Sequence, residues 1–199
     1  MPTEHEFKYV LKIDRELLRD LFLIPLKYVG LIDQGYLNTH PVLRIRRQVP
    51  ATQCDIPSYF LTTKVKTPIR LIEIEQGIDE RDGFELFKLC SNKVKKLRYQ
   101  ILSGIPEIDW FVEVDCFYCK SASTDGWPYV SDVPYLIMAE VEMPEGMDRP
   151  KLPEFLQKHL LYEVPLTDNR FSNTNLGDVE YTTRLYQNLL KEESENAQV

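Results

Sequence analysis

The sequence has little of what usually announces phosphate, metal or nucleophile chemistry. Glycine is scarce, eight in 199 residues. No G-x-G-x-x-G occurs. Gly30 and Gly35 have the outer spacing of a P-loop, but Tyr36 and Leu37 stand where that loop requires Lys and Ser or Thr. The three histidines, His5, His40 and His159, are far apart in sequence. No Ser-His-Asp or Cys-His arrangement accompanies them, so hydrolysis by a nucleophilic triad is not expected. Of the four cysteines, Cys54, Cys90, Cys116 and Cys119, the last two form a lone C-x-x-C without a second pair, which argues against a zinc site. Such usage fits a reducing compartment, and a cytoplasmic location is expected.

Other absences narrow the class further. No apolar run reaches the ~18 residues that span a membrane. The opening residues lack the basic-then-apolar order of a signal peptide. There is no excess of basic charge: Lys plus Arg is 24, Asp plus Glu is 31, and the formal net charge is −7. Nucleic-acid binding rests on net basic surface, so neither nucleic acid nor membrane is an expected partner. A small polyanion in a locally basic pocket remains compatible with the composition, and so does a homodimer.

What the chain does have is charge in alternating pairs. In a strand successive side chains point to opposite faces. The opening Glu4-His5-Glu6-Phe7-Lys8 therefore sets Glu4, Glu6 and Lys8 on one face and His5, Phe7 and Tyr9 on the other. Six later segments repeat the pattern, each tending to one sign. Basic pairs are Arg44/Arg46, Lys64/Lys66 and Lys96/Arg98; acidic pairs are Glu73/Glu75, Glu113/Asp115 and Glu140/Glu142. The face opposite each pair is aliphatic or aromatic.

Between these strands the chain reads as short helices and turns. Asp14 caps a helix with Leu17, Leu18, Leu21 and Phe22 on one face, ended by Pro25. Residues 33–38 suggest a short strand. Residues 82–90 suggest a helix with Phe84 and Phe87 toward the core. Pro153 opens a helix to about His159, residues 167–175 read as irregular, and 178–191 as a final helix with Leu185 and Leu189 inward. We expect one domain over residues 1–191, a loop or hairpin excursion at 118–134, and a frayed tail over 192–199.

Two arrangements satisfy the charge pairs. A flat sheet would leave them in water. An antiparallel sheet curled into a barrel would enclose them, with the apolar face outside under helices. Enclosed charges must be paired, hydrogen-bonded or metal-bound. Clustered Arg and Lys would be neutralised by a polyphosphate, and clustered carboxylates by Mg²⁺ or Mn²⁺. A metal–triphosphate complex satisfies both sets.

At this point the chain resembles a family: the CYTH superfamily of triphosphate tunnel metalloenzymes, which takes in inorganic tripolyphosphatases, thiamine triphosphatases and class IV adenylate cyclases. The resemblance rests on Glu4-x-Glu6-x-Lys8 as the opening signature. It continues in order through Gln34-Gly35-Tyr36-Leu37, Leu43-Arg44-Ile45-Arg46, Thr62-x-Lys64, Glu73-x-Glu75, Lys96-x-Arg98-Tyr99, Glu113-x-Asp115-x-Phe117 and Ala139-Glu140-Val141-Glu142. It closes with Glu163-Val164 and a segment containing Asp168, Arg170, Phe171 and Asn173. It implies an α+β fold, an eight-stranded antiparallel β-barrel (a tunnel) with a charged interior and helices packed outside. It implies that Arg44, Arg46, Lys64, Lys96 and Arg98, with Arg70 and Arg170, hold phosphates. Glu4, Glu6, Asp115, Glu140 and Glu142 would hold Mg²⁺ or Mn²⁺. Lys8 would sit near the attacked phosphate as a positioning group or tuned base, and Glu4 or Glu142 would orient or deprotonate water.

The implied activity is metal-dependent hydrolysis of a small-molecule triphosphate, with inorganic triphosphate the first expectation and a nucleoside or thiamine triphosphate next. The alternatives are adenylate cyclase chemistry on ATP and a non-catalytic triphosphate or nucleotide binder. Three departures stand out. Leu71 occupies the place of a family phosphate-binding Arg, with Arg70 one residue earlier. Pro165-Leu166 lengthens the approach to the closing segment. The 118–134 excursion is long.

Overall fold

A computed structural model describes residues 4–24, 28–51, 56–102, 111–118, 133–144, 146 and 148–196. The side chains of Glu4, His5 and Pro144 are outside that description, as are Cys54, Cys119 and most of the 118–134 excursion. The strands are β1 (Glu4–Leu11), β2 (Tyr28–Thr39), β3 (Val42–Pro50), β4 (Ser58–Lys66), β5 (Leu71–Ile78), β6 (Ser91–Leu102), β7 (Phe111–Tyr118), β8 (Leu136–Pro144) and β9 (Leu160–Val164). The helices are α1 (Arg15–Leu23), α2 (Glu80–Leu89), α3 (Glu154–Gln157), α4 (Asn173–Leu176) and α5 (Val179–Asn196). A 3₁₀ turn covers Asn169–Phe171.

The nine strands form one sheet in the order β5-β4-β3-β2-β6-β7-β8-β1-β9, and every ladder is antiparallel. The α+β class is as expected, but the sheet is not an eight-stranded closed barrel: β5 and β9 are both edges. A strand has two edges to offer. Those of β1 are used by β8 along its length and by β9 over Lys8–Leu11, so that stretch has none left for β5. The sheet nevertheless curls far enough for side chains of β1 and of β3 to β5 to line one cavity. The result is an open trough.

Period-two alternation divides the two faces. The convex face carries Phe7, Tyr9 and Leu11 of β1, Val114 and Cys116 of β7, and Ile137, Ala139 and Val141 of β8, all buried against Leu17 and Leu21 of α1 and Leu156 of α3. Burying side chains of this size contributes roughly 1.5–3 kcal/mol each. Asp14 caps α1 by accepting from the Leu17 N–H at 2.8 Å. Phe22, expected on the inner face, is 80% exposed; Leu17 and Leu21, with Leu18 partly buried beside them, make that stripe. On the other half of the convex face α2 packs on β2 to β4. It approaches through Gly83 rather than Phe84: a Cβ at Gly83 would lie 2.5 Å from the Tyr59 ring, while Phe84 is half exposed.

The concave face is apolar at one end. Val10, Val94, Phe117, Leu136 and Met138 share the parity of the charged residues on their strands, and they bury against Phe171, Leu176, Leu185 and Leu189. The C-terminal segment thus lies across one end of the trough and leaves the charges the other. The closing segment, expected to be irregular, forms the 3₁₀ turn and α4, capped by Asp168 and Ser172. Helix α5 runs on to Asn196 instead of fraying after Lys191; Glu193 pairs with Lys12 and Ser194 donates to the Leu190 carbonyl at 2.8 Å. Among the described residues no helix is long and apolar enough to cross a membrane.

Candidate functional site

The charged half of the trough is a cavity of about 540 Å³. It is lined by six cationic side chains (Lys8, Arg44, Arg46, Lys64, Lys96, Arg98) and six carboxylates (Glu6, Glu73, Glu75, Glu113, Glu140, Glu142), with Tyr36, Ser172, Asn173 and Thr174 at its floor and end. All five basic residues expected from the strands, together with Lys8, Glu6, Glu140 and Glu142, are brought to this one space.

One wall is built by β6, β7, β8 and β1. Antiparallel register places Arg98 opposite Asp115 and Lys8 opposite Glu140. Asp115 is fully buried and accepts from Lys96 Nζ at 2.5 Å, from Arg98 Nε at 2.7 Å and from Arg98 Nη2 at 2.7 Å. Arg98 also donates to Glu140 at 3.2 Å and pairs with Glu113. Lys8 Nζ bridges Glu6 at 2.8 Å and Glu140 at 2.9 Å.

These contacts set the protonation states. Burial works to raise the Asp115 and Glu140 carboxyls, but Arg98 and Lys96 around the first, and Lys8, Lys96 and Arg98 around the second, hold both below the ordinary range. Burial works to lower the Lys8 ammonium, and Glu140 and Glu6 outweigh it, so Lys8 stays charged with its pKa raised. Asp115 does not face the cavity. Both its oxygens are engaged by cations, so the geometry makes it a counter-ion beneath the wall rather than an accessible ligand.

The other wall is built by β3, β4 and edge strand β5, and it is less compensated. Arg44 donates through Nη2 to Thr62 Oγ1 at 3.0 Å and to Glu75 at 3.1 Å; Arg46 reaches the same Glu75 oxygen only at 3.8 Å. Lys64 pairs with Glu73 at 2.7 Å. The Nε atoms of Arg44 and Arg46 are buried without a hydrogen-bond partner. Burial, then the neighbouring charges of Arg44 and Arg98, pull the Arg46 pKa down. Two adjacent guanidinium groups with one half-exposed carboxylate between them form a locus for an anion.

Besides Asp115, two expected site residues, Arg70 and Arg170, are not brought into the cavity. Arg70 sits exposed in the β4–β5 turn, where its N–H donates to Thr67 Oγ1 at 3.0 Å and its carbonyl accepts from the Thr67 N–H; no bulge re-aims it. Arg170 is exposed and clasps Asp168 through Nε at 3.0 Å and Nη2 at 2.7 Å. The Glu4 side chain lies outside the described residues. Sequence reasoning, for its part, passed over Tyr36, whose hydroxyl accepts from Gln34 at 3.0 Å, and Ser172 and Thr174. The signals were that Gln34 and Tyr36 share the parity of an inward face and stand in a segment that carries the family resemblance.

For a divalent metal the relevant feature is a mismatch. Glu6 lies directly opposite Glu142 in the β1–β8 ladder, and like charges so placed repel. The negative charge of Glu140, then burial, raises the Glu6 carboxyl. No group of three metal-ligating side chains occurs among the described residues. Magnesium, however, is commonly held by one or two carboxylates with substrate phosphates and water completing the shell. Glu6 and Glu142 fit that requirement.

A chain of this shape has solved counterparts. The crystal structure of the inorganic triphosphatase NE1496 matches with a TM-score of 0.51 at 23% identity, over 89% of this chain and 95% of that one. The chain has the fold of that triphosphatase. A second structure of NE1496 agrees at a TM-score of 0.50, 23% identity, 88% of this chain and 97% of that one. A putative adenylyl cyclase, HpAC1 from Hippeastrum, with a dominant triphosphatase activity, is more distant at 0.46 and 16% identity, over 72% and 80% of the two chains. No protein-family model matches the sequence, and no curated protein matches it significantly. The likeness therefore concerns the fold, and it agrees with the triphosphate-tunnel resemblance of the sequence.

Proposed function

We propose that the trough binds a small-molecule triphosphate and hydrolyses it with the help of Mg²⁺ or Mn²⁺. The observation that carries this reading is the pair of buried, partnerless guanidinium Nε atoms on Arg44 and Arg46. A phosphoryl group accepts from both and relieves their mutual repulsion. Lys64 on the same wall and Lys8 across the cavity extend the cationic track along a phosphate chain.

Glu6 and Glu142 are the residues that would hold the metal, which when bound supplies neutralisation of charge on phosphate oxygens. The chain's own groups do the rest. Arg44, Arg46 and Lys64 fix the terminal phosphoryl group and stabilise charge on its oxygens as the bond to the bridging oxygen lengthens. A water oxygen forms the new bond to that phosphorus, and the departing phosphate takes the electron pair of the broken bond. Glu142, exposed at the cavity, accepts the proton of the water. Lys8, kept charged by Glu6 and Glu140, steadies the phosphate that departs.

The test is phosphate release from inorganic triphosphate, ATP and thiamine triphosphate, with Mg²⁺ and with Mn²⁺, for the wild type and Glu6→Ala. Metal-dependent release, abolished in the variant, is expected. Cyclic AMP and pyrophosphate from ATP would move the reading to a cyclase. Tight binding of every substrate by the folded protein without any product would make the trough a receptor.

A further inference from the structure

Strand β1 carries Glu6 and Lys8 into the trough, and it is supported unevenly. β8 pairs with it over its whole length, from Glu4 to Leu11. β9 pairs with it only over Lys8–Leu11. The last rung of that second ladder is Lys8 opposite Val164, where β9 ends. Pro165 follows and has no N–H with which to extend the ladder. Glu6 thus lies beyond the last rung, on a stretch that β9 does not reach, and Lys8 stands at the rung itself.

That rung is gripped by a side chain from another part of the chain. Arg149, which precedes α3, donates through Nη1 to the Lys8 carbonyl at 3.2 Å and through Nη2 to the Val164 carbonyl at 2.5 Å. Its guanidinium carbon lies 4.9 Å from the centre of the Phe7 ring and 5.1 Å from that of Tyr9, the two convex-face residues on either side of Lys8. The Tyr9 hydroxyl donates in turn to the carbonyl of Pro150, which ties the segment down beside the guanidinium. Ion pairing does not account for this placement, because Glu163 reaches Arg149 only at 3.9 Å. A rigid planar fork can bridge two carbonyls and stack on rings at once; an ammonium, a compact point charge, does not reproduce that.

Resting on the triphosphatase reading, we infer that Arg149 is a positioning residue: by clamping the last β1–β9 rung it sets the place of the Lys8 ammonium in the trough. Arg149 does not line the cavity, so it acts through Lys8 and not on substrate. A lysine side chain is a flexible four-carbon stem. The place of its ammonium depends on the backbone it starts from and on the groups that hold its end. Here those groups are Glu6 at 2.8 Å, on β1 itself, and Glu140 at 2.9 Å, on β8. Releasing the rung lets this end of β1 shift against β8, and the bridge between the two carboxylates opens. Displacements of about 1 Å in a reacting group cost up to about 10²-fold in rate.

Arg149→Met keeps an unbranched stem against Phe7 and Tyr9 and removes every donor. With inorganic triphosphate and Mg²⁺ as probe, kcat should fall about 10–10²-fold. KM should change by less than about threefold, because Arg44, Arg46 and Lys64 still hold the phosphates. Guanidinium chloride, far below denaturing concentration, should restore part of kcat, and methylammonium chloride at the same ionic strength should not. A second readout needs no turnover. The ¹⁵N signal of the Lys8 ammonium, assigned by its loss in Lys8→Met, should move in Arg149→Met and return with guanidinium. Arg149→Lys, which can reach one carbonyl and not both, should show a smaller loss of kcat and covers the case in which Arg149→Met does not fold.

Wild-type kcat in a folded Arg149→Met, or in Arg149→Lys where the first variant is unfolded, overturns the inference. So does a loss of kcat with the Lys8 signal unmoved, which makes Arg149 a structural tie and nothing more. The two readings fail separately. If the wild type releases no phosphate while the Lys8 signal moves in the variant, the hydrolase falls and the clamp stands. If the wild type hydrolyses triphosphate and Arg149→Met does so equally well, the hydrolase stands and the clamp falls.

Discussion

The two walls of the trough are made of the same residue types and do opposite things. On the β6–β7–β8–β1 wall every cation has a carboxylate within hydrogen-bond distance, and Asp115 holds Lys96 and Arg98 from beneath. On the β3–β4–β5 wall two guanidinium groups share Glu75, and their Nε atoms have no partner. The difference follows from position in the sheet. The first wall consists of interior strands, and register sets Arg98 of β6 opposite Asp115 of β7 and Lys8 of β1 opposite Glu140 of β8. The second ends at edge strand β5, whose Glu73 and Glu75 are exposed to solvent. One wall is complete without ligand and acts as a charged core. The other is left short of negative charge, and a ligand can supply it.

The largest effect expected from this contrast is on stability. Asp115→Asn keeps the shape of the side chain but leaves Lys96 and Arg98 buried against a neutral group. Breaking a buried ion network from one side costs about 3–5 kcal/mol, read as a drop in the urea or thermal midpoint. A loss under about 1 kcal/mol would show that water reaches this wall and that it is not a core.

Arg46→Gln probes the second wall and should separate function from stability. Burial and repulsion from Arg44 and Arg98 already act against the charge of Arg46. Removing it should change stability by no more than about 1 kcal/mol while phosphate release falls about 10²–10³-fold, as when one donor to a developing oxyanion is lost. A destabilisation as large as that of Asp115→Asn would erase the distinction between the walls.

Ligand-linked stability follows next. Inorganic triphosphate in the presence of a chelator, at a hundred times its Kd, should raise the unfolding free energy by about 2.7 kcal/mol. The gain should shrink in Arg44→Gln and persist in a variant of the convex surface. A gain untouched by Arg44→Gln would place the anion on the other wall.

Acid acts on the first wall. Asp115 and Glu140 are held below ordinary carboxylate values, so on acidification the unfolded chain takes up protons first. Their contribution is complete above about pH 5 and is lost as pH falls further, on the order of 1 kcal/mol per pH unit for each group. A urea series between pH 7 and pH 3 measures it, and Asp115→Asn should flatten the slope.

How much of this was legible in the sequence differs between the walls in the same way. Face assignment was legible throughout, because period two leaves no choice once a strand is recognised: Arg44 with Arg46, Lys96 with Arg98 and Glu140 with Glu142 all meet in one cavity. Partnering was not. That Arg98 faces Asp115 depends on a register fixed by strands 17 residues apart in sequence, and nothing local encodes it. Closure was misjudged because Leu160–Val164 carries no alternating charge and so gave no sign of a ninth strand on β1. The apolar end of the trough was invisible for the same reason. Val10 and Met138 share parity with charged neighbours, and only the placement of α4 and α5 makes them core.

Arg70 gives the smallest effect and the sharpest edge to the comparison. By the family resemblance it stood one residue from a phosphate-binding position. In the fold the β4–β5 turn holds its backbone against Thr67, and its side chain is outside both walls. Arg70→Ala should therefore leave stability within about 0.5 kcal/mol and KM for triphosphate within error, in contrast to Arg46→Gln two strands away. A tenfold rise in KM would mean that edge strand β5 folds inward when phosphate binds. The trough would then complete its second wall by moving the edge, not by filling it with ligand alone.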